Sequence, residues 1–226
     1  MIPAVTQHRV SGPASVSLLH FDGANNGIVF TDAYANTWSI GAGSPVTETT
    51  QFKFGTAGFS AGAGFITAPS APFVLGSSDF TIEIQFYPTS AASFYGIYAK
   101  RSLSTITASA TLNIDTGSSG RLHAGVSNNG VAAWTLDLFS STVSLNTWHH
   151  GALTRFGNTF TLWLDGVSQQ TGTLAGALLD DGTGPVIGAL AHDNAIPFAG
   201  YLDEFRYSLV ARYTANFTPP SAPFTF

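Results

Sequence analysis

FTIEIQFY, residues 80–87, alternates without a break: Phe80, Ile82, Ile84 and Phe86 fall on one side of an extended chain, and Thr81, Glu83, Gln85 and Tyr87 on the other. A period of two marks a strand that turns one face to a core. TFTLWLDG (159–166) repeats it, with Phe160, Leu162 and Leu164 opposite Thr161 and Trp163, and Asp165-Gly166 supplying the turn. Strand-like runs follow at 17–21, 64–69, 94–101, 106–115, 120–127, 131–138, 148–155, 185–190 and 201–208. Turn clusters such as TGSSG, SNNG, RFGN and DDGTG separate several of them. Helical periodicity is scarce. Many short strands and frequent turns predict an all-β sandwich or barrel. Residues 1–16 read as an N-terminal arm suited to docking, 17–209 as one domain, and 210–226 as a Pro-rich tail packed on it.

Composition narrows the function classes. The 226 residues are 44% hydrophobic, 13% aromatic and 9% charged, against about 25% charged in ordinary soluble domains. Solubility therefore rests on Ser, Thr, Asn and Gly. The net charge is -5, and eight basic residues are spread from Arg9 to Arg212, which argues against nucleic acid as a partner. Without cysteine, neither a disulfide framework nor a thiolate metal site is available. MIPAVTQHRV has no charged region followed by an apolar run, so it does not read as a signal peptide, and folding is expected in a reducing cytoplasm. No run approaches the ~18 apolar residues of a membrane helix.

Five segments in order carry a family likeness: SLLHFDGANNGIVFTD (17–32), QFKFGTAGFSAGAGFITAP (51–69), SSDFTIEIQFYPTS (77–90), NTWHHGALTRFGNTFTLWLDGVSQQTGT (146–173) and GYLDEFRYSLVARYTANFTPPSAPF (200–224). Together they resemble the laminin-G-like modules of the concanavalin A-like lectin/glucanase superfamily, most of all those in structural proteins of tailed bacteriophages. The resemblance implies a two-sheet antiparallel jelly-roll sandwich. It also implies a virion structural or decoration protein, assembled in the host cytoplasm, with capsid or tail proteins as partners; virion symmetry and the multivalent gain of weak sugar sites favour a homo-oligomer in either reading. The alternative reading is a glycan-binding adhesion module for host surface polysaccharide.

The superfamily's hydrolases need two carboxylates on alternate residues of one strand. Glu83 stands alone here, with Gln85 where the second acid would fall, and the other glutamates are Glu48 and Glu204. The chain therefore reads as non-catalytic. His149 and His150 are strand neighbours and face opposite ways, so they do not chelate one ion together.

If strand 201–207 is regular, Asp203 shares a face with Tyr201, Phe205 and Tyr207, where an ionised carboxylate needs a partner. The resemblance implies one structural calcium ion held by Asp203, Asp22 and carbonyls near Gly62 to Gly64. Hydrogen bonds from backbone amides, or pairing with Arg206 or Arg155, would serve Asp203 equally. For glycan binding the aromatic candidates are Tyr95, Tyr98, Trp134 and Trp163, with Gln85, Asn113 and Asn128 as polar partners. Packing inside the sandwich is the competing role for each aromatic.

Overall fold

The computed structural model describes residues 15–103, 107–115, 120–129, 134–180, 182–193 and 196–226. Residues 1–14 of the N-terminal arm read above as suited to docking lie outside them. Among the described residues the chain forms strands β1 (Ser15–Leu19), β2 (Phe30–Thr31), β3 (Thr37–Ala42), β4 (Val46–Glu48), β5 (Gly58–Ser60), β6 (Phe65–Thr67), β7 (Phe80–Pro88) and β8 (Tyr95–Ser102). They continue as β9 (Thr107–Asp115), β10 (Arg121–Val126), β11 (Leu136–Thr142), β12 (His149–Phe156), β13 (Thr159–Leu164), β14 (Val167–Thr173), β15 (Val186–Ile187) and β16 (Gly200–Ser208). One 3-10 turn, Ala71–Phe73, interrupts the pattern.

Two antiparallel sheets result. The first runs β14-β13-β12-β7-β16-β5-β4, with β1 also pairing β16; the second runs β11-β10-β9-β8-β15-β6-β3-β2. Neighbours distant in sequence lie side by side, as in the β7–β16 pair, which is the wiring of a jelly roll. The alternation of β7 and β13 is realised: Phe80, Ile82, Ile84, Phe86, Phe160, Leu162 and Leu164 all enter the inter-sheet core. The second sheet answers with Leu112, Ile114, Leu122 and Ala124. Each such large side chain stabilises the fold by roughly 1.5–3 kcal/mol.

The outer face of the first sheet is buried as well, because the tail crosses it. Arg212 N donates to Thr81 Oγ1 (2.9 Å), and Tyr213 and Phe217 stack with ring centroids 3.6 Å apart. Phe217 N donates to the Gly166 carbonyl (2.9 Å), an approach that leaves no room for a Cβ at Gly166, which would stand 2.0 Å from the Phe217 oxygen. Phe224 is buried, and its amide donates to Glu204 Oε2 (2.6 Å). Three prolines in this segment prevent it from joining the sheet as an inner strand. Aromatic burial and side-chain hydrogen bonds hold it down instead.

The expected regularity of β16 does not hold. Asp203 pairs Gln85 and Arg206 pairs Glu83, so the register slips between them, and Glu204 sits at φ 52°. One extra residue in a strand is a β-bulge, and it reverses side-chain parity beyond it. Leu202, Phe205 and Tyr207 enter the core, whereas Asp203 turns outward with Tyr201 and Gln85. The face proposed from alternation for Asp203, shared with Phe205 and Tyr207, is corrected accordingly.

Candidate functional site

The outer face of the second sheet is built differently from its counterpart. Cross-strand register sets Gly96 (β8), Asn113 (β9), His123 (β10) and Phe139 (β11) in one row. Gly96 is required there, since a Cβ would stand 1.9 Å from Leu190 N. That close approach, with Gly96 N and Leu190 N both donating to the Ile196 carbonyl at 3.2 Å, raises a wall beside the row. Gly125, two residues after His123, lets the Trp134 ring lie against the sheet; a Cβ at Gly125 would meet it at 2.3 Å.

The result is a cavity of about 320 Å³ walled by Phe94, Trp134, Leu103, Leu190 and Ile196. Its polar groups are Arg101, Asn113 and His123. His123 is held from both sides, Nδ1 2.8 Å from Asn113 Oδ1 and Nε2 2.9 Å from Asp137 Oδ1, and it stacks on Phe139 at 4.7 Å. Burial pushes its pKa down, against the pull of Asp137. The Arg101 guanidinium lies 5.2 Å from the Trp134 ring centre. An apolar concavity of this size with a few convergent polar groups is what small-ligand recognition needs.

The four carbohydrate-binding residues proposed from sequence are scattered. Trp134 lines this cavity, half-buried. Tyr95 is half-buried nearby on β8, its hydroxyl 3.1 Å from Ser90 Oγ. Tyr98 has no exposed surface and stacks on Phe205 at 5.6 Å inside the core, so it presents nothing to a ligand. Gln85 is buried on the opposite sheet, beside Asp203. Trp163 lies beneath Phe217 and Tyr213. Asn113 joins the cavity, whereas Asn128 binds the Ala175 carbonyl and Thr135. Arg101, His123 and Phe94 were missed. The alternation of Arg121 and His123 with the apolar residues of RLHAGV was the available signal.

Asp22 and Asp203, the expected calcium ligands, grip one loop from two sides. Asp203 Oδ2 accepts from Lys53 N (2.7 Å) and Phe54 N (2.9 Å), and its Oδ1 from Glu204 N (2.8 Å). Asp22 Oδ1 accepts from Thr56 N (2.5 Å) and Ala57 N (3.3 Å). All of these donors are backbone amides, of Lys53, Phe54, Thr56, Ala57 and Glu204. The set fits amide anchoring, the other role open to Asp203. We expect melting after dialysis against a chelator to be unchanged when calcium is restored; a rise of several degrees would return the ion to this loop.

Ser144, His149 and Asp165 form a hydrogen-bonded series: Nε2 is 3.0 Å from Ser144 Oγ, and Nδ1 is 2.7 Å from Asp165 Oδ2. Nucleophile, base and orienter occur in that order in serine hydrolases. Here Nε2 also stands 3.0 Å from the Ser144 carbonyl, an acceptor that requires a proton on Nε2, while the carboxylate takes the proton on Nδ1. Contacts at both nitrogens favour the protonated ring. Burial lowers its pKa, but Asp165 and the Ser144 carbonyl outweigh this and the net shift is upward. The trio clasps the 144 loop to the β13–β14 turn.

Glu83 is equally committed. It is fully buried, with Oε1 2.8 Å from Arg206 and Oε2 accepting from Tyr213 (2.6 Å) and lying 3.1 Å from His150. Burial works to raise its pKa, yet Arg206, His150 and Tyr213 bring it down to about 2.

These groups set the pH profile of stability. Burial raises Asp203 to about 7 against its three amide donors. Glu204 raises His20 against partial burial, and His149 is raised as above. A raised folded pKa gives stability that is complete below the unfolded pKa and is lost as pH rises through the folded one. Glu83 is lowered, so its contribution is lost as pH falls from about 4 toward 2. His123, lowered by burial, opposes the first three. Melting temperature should therefore peak near pH 4 and fall by several degrees toward pH 8. In Asp203→Asn the decline between about pH 4 and 7 should flatten.

A family model described as the concanavalin A-like lectin/glucanases superfamily matches residues 59–213. No curated protein sequence matches the chain. Among solved structures it is similar to domain 4 of AbnA, an extracellular GH43 arabinanase of Geobacillus stearothermophilus in complex with arabinotriose. That match has TM-score 0.64 and 14% identity, over 87% of this chain and 93% of that one. It is also similar to the binding domain of Paraclostridial Mosquitocidal Protein 1, at TM-score 0.63 and 13% identity over 88% and 49%. The botulinum neurotoxin serotype D ligand-binding domain in complex with N-acetylneuraminic acid gives TM-score 0.60 and 14% identity over 88% and 48%. The chain spans about half the length of the two toxin domains. At these identities the likeness is one of fold.

Proposed function

The chain belongs to the concanavalin A-like lectin/glucanase superfamily, and from that premise we propose that it is a non-catalytic glycan-binding module whose sugar sits in the Trp134 cavity. One observation carries this reading: an aromatic face, laid flat by Gly125, stands beside Asn113, His123 and Arg101 in a single concavity. A sugar ring offers an apolar C–H face to stack on Trp134 and hydroxyls to hydrogen-bond with the Arg101 guanidinium and the Asn113 amide, which His123, engaged at both nitrogens, holds in place. Glu83, the one acid on β7, is neutralised beneath the tail, and the Ser144 series is taken up in tying the 144 loop to the β13–β14 turn. Both facts support a binding role. Structures of similar fold carry arabinotriose and N-acetylneuraminic acid.

A broad array of bacterial and host surface glycans is expected to give saturable hits. An array with none would contradict the proposal.

The virion role rests on the sequence resemblance, and a decoration or tail protein with a sugar site would serve both ends. In that role the segment before β1 docks on the particle. Deleting residues 2–12 should abolish incorporation into particles, and unaltered incorporation would exclude docking through the arm.

A further inference from the structure

Among the described residues, the cation in this cavity forms no ion pair. Among the described residues the other cations buried in the domain are engaged: Lys100 with Asp180, Arg121 with Asp115, and Arg206 with Glu83. Arg155 donates to the carbonyls of Gly157, Gly76 and Gly176. Arg212 donates to Ser208 and Ser15. Arg101 differs. Among the described residues it has no ion pair; its Nε, like that of Arg121, is buried with no hydrogen-bond partner, and its guanidinium rests on Trp134 at the cavity wall. Asp193, the acid that acts on it electrostatically, accepts from Ser102 Oγ and Leu103 N, each at 2.7 Å. A buried donor without a partner costs stability. Native folds tend to keep such a group where a ligand or ion completes it.

Resting on the glycan-binding reading, we propose that the cavity is specific for acidic saccharides, the sugar's carboxylate completing Arg101 while its ring stacks on Trp134. A planar guanidinium matches a carboxylate with two parallel N–H···O bonds. The acids at the far side do not oppose this charge freely, since Asp137 is held by His123 and Asp115 by Arg121. The apolar wall of Phe94, Leu190 and Ile196 lowers the local dielectric beside the pairing and so strengthens it.

The test compares uronic-acid and sialic-acid glycans with their methyl esters and with neutral glycans. The probes are titrated against the wild-type chain, Arg101→Gln and Arg101→Lys. Expected are hits among the free acids, weakened about tenfold or more by esterification and to the same degree in Arg101→Gln. Arg101→Lys keeps the charge without the fork and should fall between; it also serves should Arg101→Gln fail to fold. Hits confined to neutral glycans, or acid binding unchanged in either variant, would overturn the acidic specificity and leave the glycan-binding reading standing. Absence of any hit would overturn both.

Discussion

Replacing Glu83 with alanine should destabilise the domain by about 3–5 kcal/mol, the range observed when one member of a buried ion pair is removed. Glu83 has no exposed surface, and it fastens three separate pieces of chain. Arg206 comes from β16, His150 from β12, and Tyr213 from the tail. Deleting the carboxylate leaves the Arg206 guanidinium buried beside Arg212 with no counter-charge, and it strands the Tyr213 hydroxyl. Equilibrium urea unfolding checks the magnitude. Tyr213→Phe removes one hydrogen bond to a charged acceptor and should cost only about 1.5–3 kcal/mol. In Glu83→Ala the tail should also become sensitive to proteolysis near residues 210–226, because Tyr213 and Phe217 lose their anchor. A loss below 1 kcal/mol would mean that the tail is not held through Glu83.

Replacing Trp134 with alanine should weaken glycan binding by about 30-fold or more, the scale of a binding hot spot near 2 kcal/mol. The indole supplies the one flat aromatic face within the cavity that Gly125 lays against the sheet, and Arg101 loses its support with it. Trp134 is half-buried at the rim rather than in the core, so stability should change little. Near-normal melting with lost binding is the expected combination. Trp163→Ala should do the reverse, since that ring packs between the sheet and the tail, with Nε1 donating to Thr154 Oγ1 at 2.9 Å. Binding retained in Trp134→Ala would place the sugar elsewhere.

The fold was legible because burial imposes a strict period of two, and β7 and β13 carry that period through their full lengths. The failure at Asp203 has a definite cause: a bulge at Glu204 shifts parity by one residue, and nothing in LDEFRYS distinguishes it from a regular strand. Short strands such as β2 and β4 span too few residues to show a period at all. Trp134 and Asn113 were recognisable by residue type. Arg101 and His123 were not, because they reach the same cavity only through the pairing of β8, β9 and β10, and register between strands is set by tertiary packing. Tyr98 was misleading for the same reason. The bulge between Gly96 and Tyr98 turns Tyr98 inward while Gly96 stays outside beneath Leu190. The tail's covering role was visible in its prolines and aromatics, but its anchor, Glu83, lies about 130 residues earlier.

The most direct test of the account is to map where the sugar binds. With an isotopically labelled chain and a glycan identified on the array, chemical-shift changes should concentrate at the Trp134 indole and at the amides of Arg101, Asn113 and His123. Changes clustered instead on the tail-covered sheet, around Gln85 and Trp163, with the Trp134 indole unmoved, would contradict it.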